Sequence, residues 1–440
     1  MTGLDDGTKA MLKRAQLRIV PLLALLYFIS FLDRVNIGFA ALTMNADIGL
    51  SPRAFGLGAG IFFVGYLLFS VPANMVLQRV GASRWIGTIT ILWGLVSAGM
   101  AFVQTPAHFL VLRFLLGMTE AGFFPGVIFF LSSWFPDRMR GRIIGNFFVA
   151  VPLSNVLGAP VSSWLLDQPA LGFAGWQIMF MVEAVPAILF GVVAWLVLPD
   201  SPRHARWLAP EEREALTQLL EKDAAKVQSG SGSAVQGLAA PRVWGWGLIY
   251  FLIVIALYGF GFWAPQILKA REGLSDLAVG FFISIPYAVA AAAMLPWARH
   301  SDRTGERTWH LVIPALVGAA GFLFAAVSGS LAFTTFAFTL GVVGVYAACP
   351  VFWTLPASAL SRAAAASGIA LINSLGNAAG YVGPFAMGWL RQSTGGYVTG
   401  LALLSASMFA AAVMALILRV PRKAKQISVS FAADVERIRR

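Results

Sequence analysis

Arg79-Val-Gly81-Ala-Ser-Arg84 and Arg303-Thr-Gly305-Glu-Arg307 are short, basic, glycine-centred stretches that each follow a long apolar run, and Gly81 and Gly305 stand 224 positions apart. Gly158-Ala-Pro160 and Gly383-Pro384 carry their prolines the same 224 positions apart. Two independent landmarks with one offset read as two copies of one structural unit laid end to end.

The surroundings of these stretches say what the unit is made of. Of 440 residues, 58% are hydrophobic and 12% charged, against about 25% charged in a soluble domain. Apolar runs of about 20 residues, each long enough to cross about 30 Å of hydrocarbon as a helix, are expected at 19–40, 54–78, 85–103, 108–134, 142–166, 176–198, 243–268, 276–298, 309–328, 331–357, 366–390 and 397–420. None alternates with period two, which excludes a β-barrel. The fold class is therefore an all-α integral membrane protein of twelve spans in two six-helix repeats. Parallel repeats of that kind are a transporter design, with the substrate site near the midplane between them.

The net charge of +12 does not point to nucleic acid, because the basic residues fall in short loops. About 26 of the 32 Lys and Arg lie in loops of one parity or in the tails, about four in the opposite loops and two within spans. Both termini are expected on the cytoplasmic side of an inner membrane. The start of the chain resembles a signal peptide only superficially: its apolar run is too long and carries Asp33 and Arg34, so it reads as an uncleaved first span. The expected organisation is a six-helix bundle over 1–198, a linker over 199–241, a second bundle over 242–420 and a tail over 421–440. The linker reads as a surface helix around Pro210-Glu-Glu-Arg-Glu followed by flexible Ser229-Gly-Ser-Gly-Ser. A single cysteine, Cys349, leaves no intrachain disulfide and no CxxC zinc site, and no metal or other cofactor is expected.

At these residues the chain also resembles a known group. The loop after span 2, its partner Ser301-Asp-Arg-Thr-Gly-Glu-Arg307, Arg113 in span 4 and the Gly-Pro motif of span 5 are similar to signatures of the major facilitator superfamily. More narrowly, Leu32-Asp-Arg-Val-Asn36, Arg113-Phe-Leu-Leu-Gly-Met-Thr-Glu-Ala-Gly-Phe-Phe-Pro125, Gly175-Trp-Gln and Leu198-Pro-Asp-Ser-Pro202 resemble the organic anion:cation symporter family. The resemblance implies permeases for tartrate, sugar acids or aromatic acids, and gating by Arg79, Gly81, Arg84, Asp302, Arg303, Gly305 and Arg307. One departure is Gln78, which stands where the first loop motif usually has an acid, whereas Asp302 keeps it in the second half.

Charges at membrane depth are functional candidates because each costs on the order of 3 kcal/mol to insert. Helical rise puts Asp33 about 9 Å and Arg113 about 8 Å below the outer edge of the hydrocarbon. They are expected to form an ion pair in at least one state, either as part of the cycle or as a permanent helix clamp. Glu120, seven residues after Arg113, falls about 18 Å down, near the midplane. No basic residue is expected at its level, and burial without a partner favours the neutral acid, which suits either a proton carrier or a protonated side chain bonded to nearby backbone. Arg34 points about 100° from Asp33, on a stripe with Ser30 and Tyr27. It either grips an anionic substrate with its planar fork or snorkels outward. The resemblance implies proton carriage by Asp33 and Glu120, substrate binding by Arg34 and a substrate contact at Tyr66.

The offset of 224 places Leu257 opposite Asp33, Tyr258 opposite Arg34 and Gly344 opposite Glu120, so ionic work is confined to the first half. The second half offers Tyr258, Trp353, Thr354, Asn373 and Asn377 to read the uncharged part of a small acid, or simply to pack. The expected function is proton-coupled import of a small organic anion by a monomer, with a proton-independent exchanger or an exporter as the alternative. A membrane enzyme or receptor is disfavoured: His108, His204, His300 and His310 all fall at loops or span ends, no HExxH is present, and no sizeable soluble domain exists to signal.

Overall fold

The computed structural model describes residues 6–136, 139–140, 143–144, 147–228, 238, 240–359 and 362–418. The first half builds α1 Asp6–Val35, α2 Pro52–Val80, α3 Ala82–Gly99, α4 Pro106–Glu120, α5 Phe123–Ser132, α6 Ala150–Leu166 and α7 Gly175–Val197. A surface helix, α8 Pro210–Gln228, follows. The second half builds α9 Pro241–Glu272, α10 Asp276–Thr304, α11 Thr308–Val327, α12 Leu331–Ala359, α13 Arg362–Thr394 and α14 Val398–Ile417. Among the described residues ten helices are long and apolar enough to cross a membrane, with Asp6–Ala40 and Pro106–Ser132 each counted as one. Ala150–Leu166 is apolar but shorter, and α13 runs for 33 residues through the region expected as span 11. The Ser229-Gly-Ser-Gly-Ser linker and the tail from 421 lie outside the described residues.

Helix starts are set locally. Ser51 and Thr105 accept hydrogen bonds from the backbone N–H of Ala54 and His108, and each is followed by a proline at the first helical position. Helix α1 begins well before the expected 19 because its first turns are not surplus. Met11, Leu12 and Ala15 are buried, Arg14 pairs with Glu212 on α8, and Arg18 lies 5.1 Å over the Trp207 ring.

The face at which α1 begins is called the near face and the opposite one the far face. The two halves meet towards the far face, in two equivalent packings. A Cβ on Gly56 of α2 would stand 2.5 Å from the Pro384 carbonyl oxygen of α13, and one on Gly280 of α10 would stand 2.5 Å from that of Ala159 on α6. Gly56 and Gly280 are 224 positions apart, and the carbonyls they meet, on Pro384 and Ala159, match that offset to within one residue, so closely similar contacts recur in the two halves. Only glycine allows backbones this close. Gly38, just beyond α1, similarly abuts the Phe262 carbonyl, and Asn45 donates to Gln266 at 3.3 Å.

Candidate functional site

Arg34 occupies the centre of the contact between the halves. Its Nη2 donates to Glu120 Oε2 at 2.5 Å and its Nη1 to the Tyr258 hydroxyl at 3.2 Å. The rings of Phe31, Phe62 and Tyr66 surround the guanidinium carbon at 4.8, 5.0 and 5.6 Å, which suits a delocalised cation. Glu120 ends α4, where Ala121 and Gly122 interrupt the helix before α5, and the Gly122 carbonyl accepts both from the Gly126 N–H at 3.1 Å and from the Trp85 indole at 3.2 Å.

The ion pair corrects the expectation that Glu120 lacks a basic partner. Rise per residue gives the level of a Cα, whereas helical side chains lean towards the N-terminus of their own helix. Helices α1 and α4 run in opposite directions, so the long Arg34 side chain and Glu120 lean towards one another and close the difference in depth.

Asp33 and Arg113 are not partners in this structure. Asp33, 1% exposed, accepts from Trp93 Nε1 at 3.0 Å and Ser97 Oγ at 3.2 Å, both on α3. Arg113, equally buried, donates to the Gly58 carbonyl at 3.2 Å and the Ala59 carbonyl at 3.5 Å on α2, beneath the Phe62 ring. One side chain faces α3 and the other α2.

Of the remaining expected residues, Tyr66 and Tyr258 join Arg34, and Tyr27 stands in an aromatic cluster with Phe31 and Phe124. Thr354 instead bonds to the Val351 carbonyl of its own helix, and Asn377 to that of Asn373. Trp353 packs edge-on to Tyr250, 4.8 Å between centroids. Tyr250 was missed, although it sits eight residues before Tyr258 and so on the same stripe of α9. Glu183 was missed too, although an acid inside an apolar span is itself a signal. It is buried and accepts from Asn36 and Ser162.

At the near face, Gly81 and Gly305 both close a helix with positive φ, +91° and +66°, the conformation that selects glycine. Arg307 donates to Asp302 at 2.7 Å and to Ser301 Oγ at 3.0 Å. In the first half, where Gln78 replaces the usual acid, Asp200 supplies a carboxylate from the end of α7: its Oδ1 accepts from the Ser83 N–H at 2.9 Å. Arg79, Arg84 and Arg303 are exposed at this face. Beside the second motif, Glu306 accepts from the Trp309 and His310 N–H groups and contacts His310 Nδ1 at 2.9 Å. Burial raises its carboxyl, but these hydrogen bonds prevail and hold it below the usual range. Among the described residues no group of three or more His, Cys, Asp or Glu is placed to hold a metal.

A family model described as Major Facilitator Superfamily matches residues 23–384. A protein of Agrobacterium vitis named "Putative tartrate transporter" is 50% identical over 415 residues, covering 94% of this chain and 92% of that relative. A Pseudomonas putida protein named "Putative metabolite transport protein NicT" is 41% identical over 399 residues, covering 90% and 91%. Among solved structures, the partially occluded, inward-open xylose transporter XylE of E. coli superposes with a TM-score of 0.74 at 16% identity, covering 93% of this chain and 99% of that one. At that identity the likeness speaks for the fold alone.

Proposed function

Because the chain belongs to the major facilitator superfamily, and is thus a multi-pass membrane transporter and not an enzyme, we propose that it imports a small organic anion together with protons, acting as a monomer in the inner membrane. The observation that carries this reading is the Arg34–Glu120 pair. The fork that would grip a substrate carboxylate is occupied by one of the protein's own. Protonating Glu120 releases Arg34, and an incoming carboxylate then replaces the lost anion. Proton and anion thereby enter together, with the charge on Arg34 balanced throughout. Tyr258 and Tyr66 flank the same guanidinium and would contact the substrate, with Tyr250 and Trp353 further along the second half. The tartrate name of the Agrobacterium relative supports a hydroxy acid as substrate.

With twelve crossings and the basic loops on the cytoplasmic side, the near face is cytoplasmic and the contacts of Gly56 and Gly280 close the outside. Alternating access would then break these two contacts and form new ones near the loop motifs. The reading is tested in proteoliposomes with labelled tartrate. The wild type should accumulate it under an inward proton gradient, while Glu120→Gln should exchange substrate across equal pH but fail to accumulate it. Accumulation by Glu120→Gln under a proton gradient alone would remove Glu120 from the coupling. Exchange driven only by a counter-anion in the wild type would favour the exchanger.

A further inference from the structure

Glu183 is a buried acid of the first half that the mechanism above leaves without a task. Its carboxylate is bracketed: Asn36 Nδ2 donates at 2.9 Å from the break after α1, and Ser162 Oγ donates at 2.6 Å from α6. Among the described residues no Lys, Arg or His bonds to it. An ionised carboxylate buried among neutral donors is costly. A purely structural bracket would be served as well by glutamine, because Asn36 Oδ1 has no partner and its amide could turn to accept. The acid is therefore expensive as a strut and useful only if it changes charge.

Its position gives that charge something to act on. From α7, the bracket ties the end of α1 to α6, both next to contacts across the far face. Gly38, two residues past Asn36, abuts Phe262, and Ser163, next to Ser162, lies against Gly280. Asp33, one turn before Asn36, is within electrostatic reach of Glu183, and Glu120 acts on Asp33 in the same way. Helix α6 carries no titratable residue, and α3 carries only Arg84, at its near-face end. Towards the far face, two turns before Glu183 on α7, Trp176 donates to Asp47 at 2.7 Å. Bonded to Asn36, the Glu183 carboxylate is thus tied to a residue one turn nearer the far face than Asp33, with the Trp176–Asp47 contact on its far-face side.

We propose that Glu183 is a third proton-exchanging residue of the transport cycle, the one that meets the far-face water first. When the far face opens, one proton leaves that water for the Glu183 carboxylate. The neutral acid then passes it to Asp33 and returns to its ionised form, so that one proton enters and one is delivered. The proposal rests on the proton-coupled reading, and its test separates the two. Wild type and Glu183→Gln are compared in proteoliposomes for exchange of labelled tartrate at equal pH and for accumulation under a proton gradient. Exchange by Glu183→Gln should stay within about twofold of wild type while accumulation falls at least about tenfold. If Glu183→Gln accumulates as well as a wild type that responds to the gradient, this proposal alone is overturned. If the wild type itself ignores the gradient, the proton-coupled reading falls and takes the proposal with it. Should Glu183→Gln not fold, Ser162→Ala, which removes one donor and keeps the acid, should move the pH of half-maximal uptake by about half a unit or more. An unmoved profile would overturn the proposal.

Discussion

Arg34 donates a hydrogen bond to Tyr258, the residue that occupies its own position in the second repeat, 224 places on. Two equivalent residues can touch only where the axis relating the repeats passes between them. The guanidinium therefore lies beside that axis, so a substrate gripped there, as proposed, would stay between the halves while access to it changes.

Tyr258→Phe tests this placement. It removes a hydrogen bond to a charged group, about 1.5 to 3 kcal/mol, without removing the ring that packs 4.5 Å from Phe63. We expect thermal stability to fall by up to that amount and, because Tyr258 flanks the guanidinium proposed to grip the anion, KM to rise about tenfold or more. An unaltered KM would take Tyr258 out of the binding site.

The separation of Asp33 from Arg113 can be checked by a double-mutant cycle on thermal stability, using Asp33→Asn, Arg113→Leu and the combination. Side chains held by different helices should add to within about 0.5 kcal/mol. A coupling of several kcal/mol would mean that the pair dominates some other state. Arg113→Leu alone should be markedly destabilising, because its donors serve the α2 backbone at Gly58 and Ala59.

Enlarging Gly280 to valine should wedge the far face open, since its Cβ would stand 2.5 Å from the Ala159 carbonyl oxygen. With Cys349, the chain's one cysteine, replaced by alanine, a cysteine introduced at Thr43 reports the change. Its modification by a bulky maleimide should quicken about tenfold or more, and uptake should fall.

The Glu306 carboxyl, held below its usual range, stabilises the folded state at pH values above that range and loses this contribution as pH falls through its folded value. Glu306→Gln should therefore lower the melting temperature at neutral pH, and the gap to wild type should narrow under acid conditions. A gap independent of pH would assign the effect to packing at Trp309.

The repeat offset, the charged residues at depth and the two glycine-centred loop motifs were legible in the sequence because each is a local or periodic signal. Direction around a helix was not. Helical rise gives Asp33 and Arg113 matching depths, yet nothing in their spacing says that α3 offers Trp93 and Ser97 to one while α2 offers the Gly58 and Ala59 carbonyls to the other. Glu120 shows the related gap, in that a side chain's reach along the helix is comparable to the depth differences being argued from. The motif that holds Asp200 does not reveal its partner, since the N–H of Ser83 that it caps lies 117 positions away.

The Trp85 indole has a consequence beyond satisfying one carbonyl. It stands two residues from Ser83, which Asp200 fastens to the end of α7, and its ring grips Gly122, two residues from Glu120. Any tilt of α3 that rearranges the near-face loop must drag this ring, and with it the interruption on which Glu120 is mounted. Loop and acid are thus linked through α3, so a displacement at the membrane surface would change how the acid faces water without any message passing through the substrate.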